Sequence, residues 1–471
     1  MLSNITLELL DGVRVVVPDS LNLITTYVLQ EQRDWFEDEI KFLRRLIRPG
    51  QKVIDIGANC GVYALTMAKL VGPSGRVWAF EPASATASLL ASGIAANSFA
   101  NVELIRSALS SVPGTVQLSI NENSELNELV RGTRPRGTTE TVSCVTLDES
   151  MAKHGWKDID FVKIDAEGEE TNILRAGTRF LAAESPLVQY EIKEAAGKTN
   201  LELVERLLDL GYQSYRLVPG LDLLVPFDSK EAVDDFLLNL FCCKPDRAAR
   251  LAAQGFLLEA TADTAAARAP DTRRVSSSSD THGWRSTLVQ LPYGALLADE
   301  WVQQMVRDES HAVEEPLFHY ALAQDTSLGK DERFAALEAS YRGFQRLCET
   351  QPAYLRLSSL ARVAVDYGAR SAAVKALGQL HDTILKQAQV HTSEPFLAPG
   401  ARFDSLSPGK RQLVPTWITV AVLEELERNQ YFSSYYAGKT SRRRLEMIRD
   451  LGFGSDEMQR RLMLILRRFG A

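Results

Sequence analysis

Between residues 51 and 195, mostly continuous apolar runs alternate with segments of helical spacing. The runs read "KVIDIG", "RVWAFEP", "NVELIRSAL", "TVSCVTL", "DFVKIDAEG" and "LVQYEI". Strands that are apolar at nearly every position belong to a parallel sheet covered on both faces. After the helical run "NLELVERLLDLGY", the runs "YQSYRLV" and "LDLLVPF" are expected to close the sheet as an antiparallel pair. The class predicted is α/β, a doubly wound, Rossmann-like sheet. Ahead of it, residues 1–30 alternate apolar and polar around "LLDGVRVVV", with Asp11-Gly12 as a hairpin turn. The stretch "DWFEDEIKFLRRLI" then sets Phe36, Ile40, Leu43 and Ile47 at helical spacing, with Arg44 and Arg45 on the other side, and Pro49-Gly50 ends it.

These patterns divide the chain into four parts. Residues 1–50 form a small N-terminal β/α extension packing on the core, and residues 51–258 form the sheet domain. Residues 259–283, rich in Ala, Thr, Ser and Arg, read as a linker. Residues 284–471 are helical in pattern throughout and form an all-α C-terminal domain. Within it, "LARVAVDYGARSAAVKALGQL" resembles a tetratricopeptide-type helical hairpin with Gly368 in the turn, although the full signature is absent. An irregular helical bundle fits this half equally well.

Composition narrows the class. The chain has 471 residues, 45% hydrophobic and 24% charged, as in an ordinary globular protein of two or three domains. A net charge of -8 argues against bulk nucleic-acid binding, so no nucleic-acid partner is expected. The start "MLSNITLELLDG" lacks the pattern of a signal peptide, and no apolar stretch is long enough to span a membrane. The five cysteines, Cys60, Cys144, Cys242, Cys243 and Cys348, form no CxxC pair. They are expected to be reduced thiols, and the expected location is cytoplasmic.

The chemistry begins at "VIDIGANCGVYAL", a strand, turn and helix. A dinucleotide site wants a glycine where Asn59 stands, and a P-loop wants a Lys-Ser/Thr pair where Val62-Tyr63 follow Gly61. S-adenosylmethionine, which carries no phosphate, fits better. Asp55 at the strand end can accept from its ammonium or an ordered water, and Gly57 lets the backbone pass its amino-acid tail. Glu81, in Phe80-Glu81-Pro82 at the end of the next strand, can accept both ribose hydroxyls. Ser107 and Ala108 at the third strand end leave room for the adenine, unless they are a plain strand-to-helix turn.

The fourth strand, "IDFVKIDAEGEE", puts Phe161, Lys163 and Asp165 on one face and Val162 and Ile164 on the other. A buried Lys163 needs a carboxylate. Asp165 ends this strand, Glu167 follows, and Glu191 ends the next. Methyl transfer to a hydroxyl is an in-line displacement that needs a proton acceptor within reach. Asp165 and Glu191 are candidates, with Glu167 behind them. Each could instead partner Lys163 or hold the cofactor tail. Two acids on adjacent strand ends could hold a divalent metal, but no His or further acid completes a ligand set, so none is expected. Asp-Ala-Glu-Gly stands where methyltransferases of nucleobase amino groups often carry Asn-Pro-Pro-aromatic.

In this order, "VIDIGANCGVYAL", "VWAFEP", "TLDE", "IDFVKIDAEGEE", "ILRAG" and "YEI" resemble the FkbM-type family of S-adenosylmethionine-dependent methyltransferases over about residues 35–245. The resemblance implies the doubly wound class I methyltransferase fold and O-methylation of sugars or of secondary-metabolite hydroxyls. Carried over, Asp55, Gly57, Ala58, Asn59, Gly61 and Glu81 with Pro82 would bind the cofactor. Asp165, Glu167 and Glu191, with Lys163, would lie at the reaction centre. Cys60 stands where the family often has an aliphatic residue.

The acceptor expected is a small molecule or glycan, its pocket shaped by "NENSELNELVRGTRPRGTTE". Arg131, Arg134 and Arg136 there favour an anionic or hydroxyl-rich acceptor, if that stretch is not a plain exposed hairpin. The C-terminal helices are left to homodimerisation, a protein partner or a carrier. The rival reading is a partner-binding scaffold whose methyltransferase fold is vestigial.

Overall fold

The computed structural model describes residues 3–130, 138–192, 199–259, 283–307, 311–351, 355–387 and 390–470. The linker expected at 259–283 lies almost wholly outside the described residues, and Arg131, Arg134 and Arg136 lie outside them too. Two compact units emerge. One is Met1–Leu217 with Leu224–Val233 and Leu237–Glu259; the other is Val218–Leu223 with Asp234–Phe236 and Ala260–Ala471.

The first unit starts with a hairpin, β1 (Asn4–Glu8) and β2 (Arg14–Pro18), paired antiparallel. Its turn is fixed by Gly12 at φ +80° and by Asp11 accepting from the Val13 amide at 3.0 Å. Two helices follow, α1 (Ile24–Gln32) and α2 (Asp38–Leu46). The sequence pattern gave no sign of α1. Seven of its nine residues are buried, so it has no polar stripe to set against an apolar one. The second helix starts at Asp38, later than the pattern suggested. Arg44 donates to both oxygens of Asp34 at 2.6 and 2.7 Å, and this fork holds the chain in a turn ahead of α2. Trp35, Phe36 and Glu37 therefore lie outside the helix.

Twelve further strands run in order: β3 (Lys52–Ile56), β4 (Arg76–Phe80), β5 (Val102–Ile105), β6 (Ala108–Leu109), β7 (Gly114–Ile120), β8 (Glu128–Leu129), β9 (Thr138–Val145), β10 (Phe161–Ile164), β11 (Leu187–Glu191), β12 (Gln213–Val218), β13 (Leu223–Pro226) and β14 (Asn239–Cys243). The main sheet has the order β13-β12-β14-β11-β10-β3-β4-β5. From β11 to β5 the strands are parallel, and β14 lies antiparallel to both β11 and β12. The connecting helices are α3 (Val62–Val71), α4 (Ser84–Asn97), α5 (Leu147–His154), α6 (Glu170–Arg175), α7 (Thr178–Glu184) and α8 (Glu202–Asp209), with α9 (Pro245–Ala253) after β14. One face packs Val53, Val77 and Phe161 with α3, and the other packs Ile54, Val162, Ile164 and Val188. This is the doubly wound, Rossmann-like sheet that the sequence pattern predicts.

Two runs fall in places the pattern did not suggest. "TVSCVTL" supplies β9, which pairs with β6 and β7 in a separate sheet of order β6-β9-β7-β8. Its residues alternate between buried and exposed, as suits a half-covered antiparallel sheet. The run "NLFCC", unassigned from sequence, forms β14 and separates β11 from β12. Cys242 and Cys243 are fully buried in it, packing as small apolar side chains.

The second unit is helical among its described residues. Its longest helices are Lys330–Thr350, Arg370–Gln387 and Val414–Gln430. Arg356–Tyr367 and Arg370–Gln387 form a hairpin, with Gly368 left-handed at φ +86° in the turn. Trp417 is fully buried, its ring 4.9 Å from Tyr293 and 5.6 Å from Phe403. No helix among the described residues is long and apolar enough to cross a membrane.

Candidate functional site

A crevice opens at the carboxyl ends of β3, β4 and β10, where open α/β sheets place their ligands. It encloses about 1010 Å³ of space up to and including its open mouth. At its floor β3 turns into α3 through three left-handed residues, Gly57 (φ +80°), Asn59 (φ +49°) and Gly61 (φ +92°). A Cβ on Gly57 would stand 1.7 Å from the Asp165 carbonyl oxygen, so the backbones of β3 and β10 can approach only with glycine here. Asparagine tolerates the left-handed region at 59, and its side chain braces the turn. Its carbonyl oxygen accepts from the Cys60 amide at 2.7 Å and from the Ser124 hydroxyl at 2.9 Å.

Asp55 is fully buried, and neither carboxylate oxygen has a hydrogen-bond partner among the described residues. The Ala64 amide lies near enough to favour its charged form slightly, without reaching hydrogen-bond geometry. Burial pushes its pKa up to about 6, Lys163 opposing and Asp165 adding to the rise. An orphaned carboxylate of this kind is costly unless a ligand cation completes it. Glu81, also buried, accepts the Asn59 amide at 3.0 Å on one oxygen and the Ala83 amide at 2.9 Å on the other. Each oxygen keeps a lone pair for a hydroxyl donor. Burial raises Glu81 to about 7 against the pull of those two amides. A buried anion without a donor and a glycine turn with no phosphate-binding lysine suit the ammonium and ribose of S-adenosylmethionine. The residues present therefore fit that cofactor.

Most residues singled out from sequence line this crevice. Asp55, Gly57, Ala58, Asn59, Glu81 and Pro82 do so from the ends of β3 and β4. Ser107, Ala108, Lys163, Asp165 and Glu167 do so from the β5–β6 connection and the end of β10. Two do not. Gly61 is a packing glycine, since a Cβ there would meet Leu90 at 2.4 Å and Leu65 at 3.2 Å. Glu191 lies outside the lining, but one of its oxygens is within 4.8 Å of oxygens of Asp165 and Glu167. The sequence argument against a metal, that no further acid completes a ligand set, is therefore corrected: Glu167 is that acid. The spacing would suit a divalent cation, with the Lys163 ammonium competing for Asp165.

Lys163 is 4% exposed and opposite Asp55 in register, and its ammonium donates to Asp165 at 2.6 Å. It sits 4.7 Å from the Tyr63 ring centroid, a cation–π contact. Burial pulls its pKa down, but Asp165, Asp55 and Glu37 outweigh that and raise it, so it stays charged. Burial and then Asp165 and Glu170 raise Glu167 to about 8. Burial and then Asp165 and Glu167 raise Glu191 to about 10, which keeps it protonated at neutral pH.

Sequence reasoning missed Trp35, Glu37, Tyr63 and Glu125, all of which line the crevice. Tyr63 stood in plain view two residues after Gly61, at the open end of the helix. Glu125 reaches back to accept the Thr25 amide at 3.1 Å, a contact over 100 residues that no local pattern reveals.

Fold and crevice together define a doubly wound sheet whose strand-end turn and acids fit S-adenosylmethionine. Residues 55–214 match the family model described as "Methyltransferase FkbM domain". Among curated proteins, a protein-L-isoaspartate O-methyltransferase of Methanothrix thermoacetophila is 51% identical over 35 residues, 7% of this chain. That match spans only 17% of the relative's length. Among solved structures, methyltransferase FkbM from Methylobacillus flagellatus KT is 14% identical with a TM-score of 0.29, covering 43% of this chain and 50% of its own. An S-adenosylmethionine-dependent O-methyltransferase from Thermotoga maritima is 15% identical with a TM-score of 0.26, covering 49% and 73%.

Proposed function

We propose that the chain O-methylates a hydroxyl of a sugar, a glycan or a secondary metabolite, with Glu167 as the proton acceptor. The observation that carries this reading is the cluster of acids after β10, where Asp165 and Glu167 line the crevice. When bound, S-adenosylmethionine supplies an electrophilic methyl group on a sulfonium. Asp55 and Glu81 would hold its ammonium and ribose, and the Gly57 turn would let its tail lie against the strand ends. Lys163 holds Asp165 in place through their 2.6 Å contact. Glu167 would take the acceptor's hydroxyl proton as the bond from oxygen to the methyl carbon forms and that carbon's bond to sulfur breaks. A base raised to about 8 suits this task, because proton acceptors work best with a pKa near the working pH. Glu191 is held protonated and serves as a neighbour, not a base.

An acid-lined crevice favours a hydroxyl acceptor over a carboxylate, which Glu37, Glu125, Asp165 and Glu167 would repel. The test is transfer of labelled methyl from S-adenosylmethionine to panels of sugar, glycan and phenolic hydroxyls and to carboxylates. A hydroxyl acceptor should be turned over, with the rate rising through a pH of about 8. Glu167→Gln should lower kcat by roughly 100-fold or more and remove that rise. Turnover of carboxylates alone, or an unchanged pH profile in the variant, would overturn the proposal.

A further inference from the structure

Glu37 stands ahead of α2, in a stretch whose spacing predicted helix, and it lines the crevice alongside Asp55 and Asp165. It accepts a hydrogen bond from the Tyr63 hydroxyl, whose ring is the one that Lys163 covers. Tyr63 also takes the Gln189 side-chain amide at 3.5 Å, so its hydroxyl is gripped from two elements. Burial pushes the Glu37 carboxyl upward, partly offset by Lys163 and then by Tyr63, with Asp165 adding to the rise. Three carboxylates, Glu37, Asp55 and Asp165, therefore surround the single ammonium of Lys163.

The ammonium is committed to Asp165, and Asp55 is fully buried without a donor among the described residues. Among the described residues that line the crevice, Lys163 is the one cation. An α-ammonium has three N–H donors to give.

We propose that Glu37 is a binding residue for the cofactor's α-ammonium, sharing it with Asp55 and held in position by Tyr63. This rests on the reading of the crevice as an S-adenosylmethionine site. It assigns to the segment ahead of α2 a role in cofactor recognition as well as in packing.

The test is calorimetry on the full chain with S-adenosylhomocysteine and with its desamino analogue, in which hydrogen replaces the ammonium. The parent protein should favour S-adenosylhomocysteine. Glu37→Gln should weaken S-adenosylhomocysteine by about 10- to 100-fold, the worth of a charge-assisted hydrogen bond. It should leave the desamino analogue within about twofold, since that ligand offers no ammonium. Tyr63→Phe, which frees Glu37 but keeps the ring over Lys163, should show the same selectivity change to a smaller degree. It guards against a Glu37 variant that does not fold. Equal weakening of both ligands, or of neither, would overturn the role of Glu37 while leaving the site itself standing. A parent protein that binds neither ligand would overturn the site and this proposal together.

Discussion

Both units bury carboxylates on arginine forks, Asp34 on Arg44 in the sheet unit among them, and the crevice treats Asp55 differently. In the helical unit Glu394 takes both arms of Arg356, at 2.6 and 2.8 Å, with the pair 8% and 3% exposed. Glu424, fully buried, has Arg428 at 2.9 Å, and Glu427 has Arg444 at 2.8 Å. In the sheet unit Asp55 is just as buried and has no such partner among the described residues. Burying a carboxylate is costly, and an arginine fork is the usual remedy. Where the remedy is missing beside an open crevice, a ligand's ammonium would supply it. Pairing, more than burial, separates a carboxylate that holds the fold from one that waits for a molecule.

The contrast can be broken by experiment. Glu394→Ala leaves Arg356 buried without its fork and should cost roughly 3–5 kcal/mol in urea unfolding. It should leave S-adenosylhomocysteine affinity in calorimetry unchanged. A large loss of affinity there would mean that paired carboxylates also serve the ligand. Gly57→Ala should cost at least roughly 2 kcal/mol, since the backbone is left-handed and a Cβ would collide with the Asp165 carbonyl. It should also abolish cofactor binding.

Asp55→Asn should do the reverse of Glu394→Ala. By removing an unpaired buried charge it should raise the melting temperature of the ligand-free protein at pH about 8, by the equivalent of roughly 1 kcal/mol. Binding should fall at the same time. A melting temperature that drops instead would show that Asp55 holds the fold.

Stability should also depend on pH. Asp55, Glu81 and Glu167 have raised folded pKa values of about 6, 7 and 8. Between their ordinary values and these, the folded state holds more protons than the unfolded one. The stability of the ligand-free protein should therefore decline as pH climbs from about 5 to 8. A scanning-calorimetry series across that range checks the sign, and Asp55→Asn should flatten its lower part.

Much of this was legible in the sequence because the signals were local. The Gly57 turn, Glu81 at one strand end and Asp165 at another are each announced by an apolar run that stops at an acid. Glu37 was not legible, because an unbroken helical spacing from Phe36 to Ile47 hid the turn that Arg44 imposes through Asp34. Likewise α1, buried nearly all round, offered no periodicity, and β14 is too short and too uniformly apolar to announce which strands it divides.

The position of β14 has a consequence for synthesis. It is the last strand of the main sheet to leave the ribosome, yet it lies between β11 and β12, both made earlier. Until residues 239–243 emerge, β11 and β12 each have a sheet edge with unpaired backbone groups. The nascent chain must hold two sticky edges apart for the time taken to add the intervening residues. A chain stalled or cut short before Asn239 would leave them open to each other or to neighbouring chains. Completion of the sheet therefore waits on the synthesis of residues 239–243.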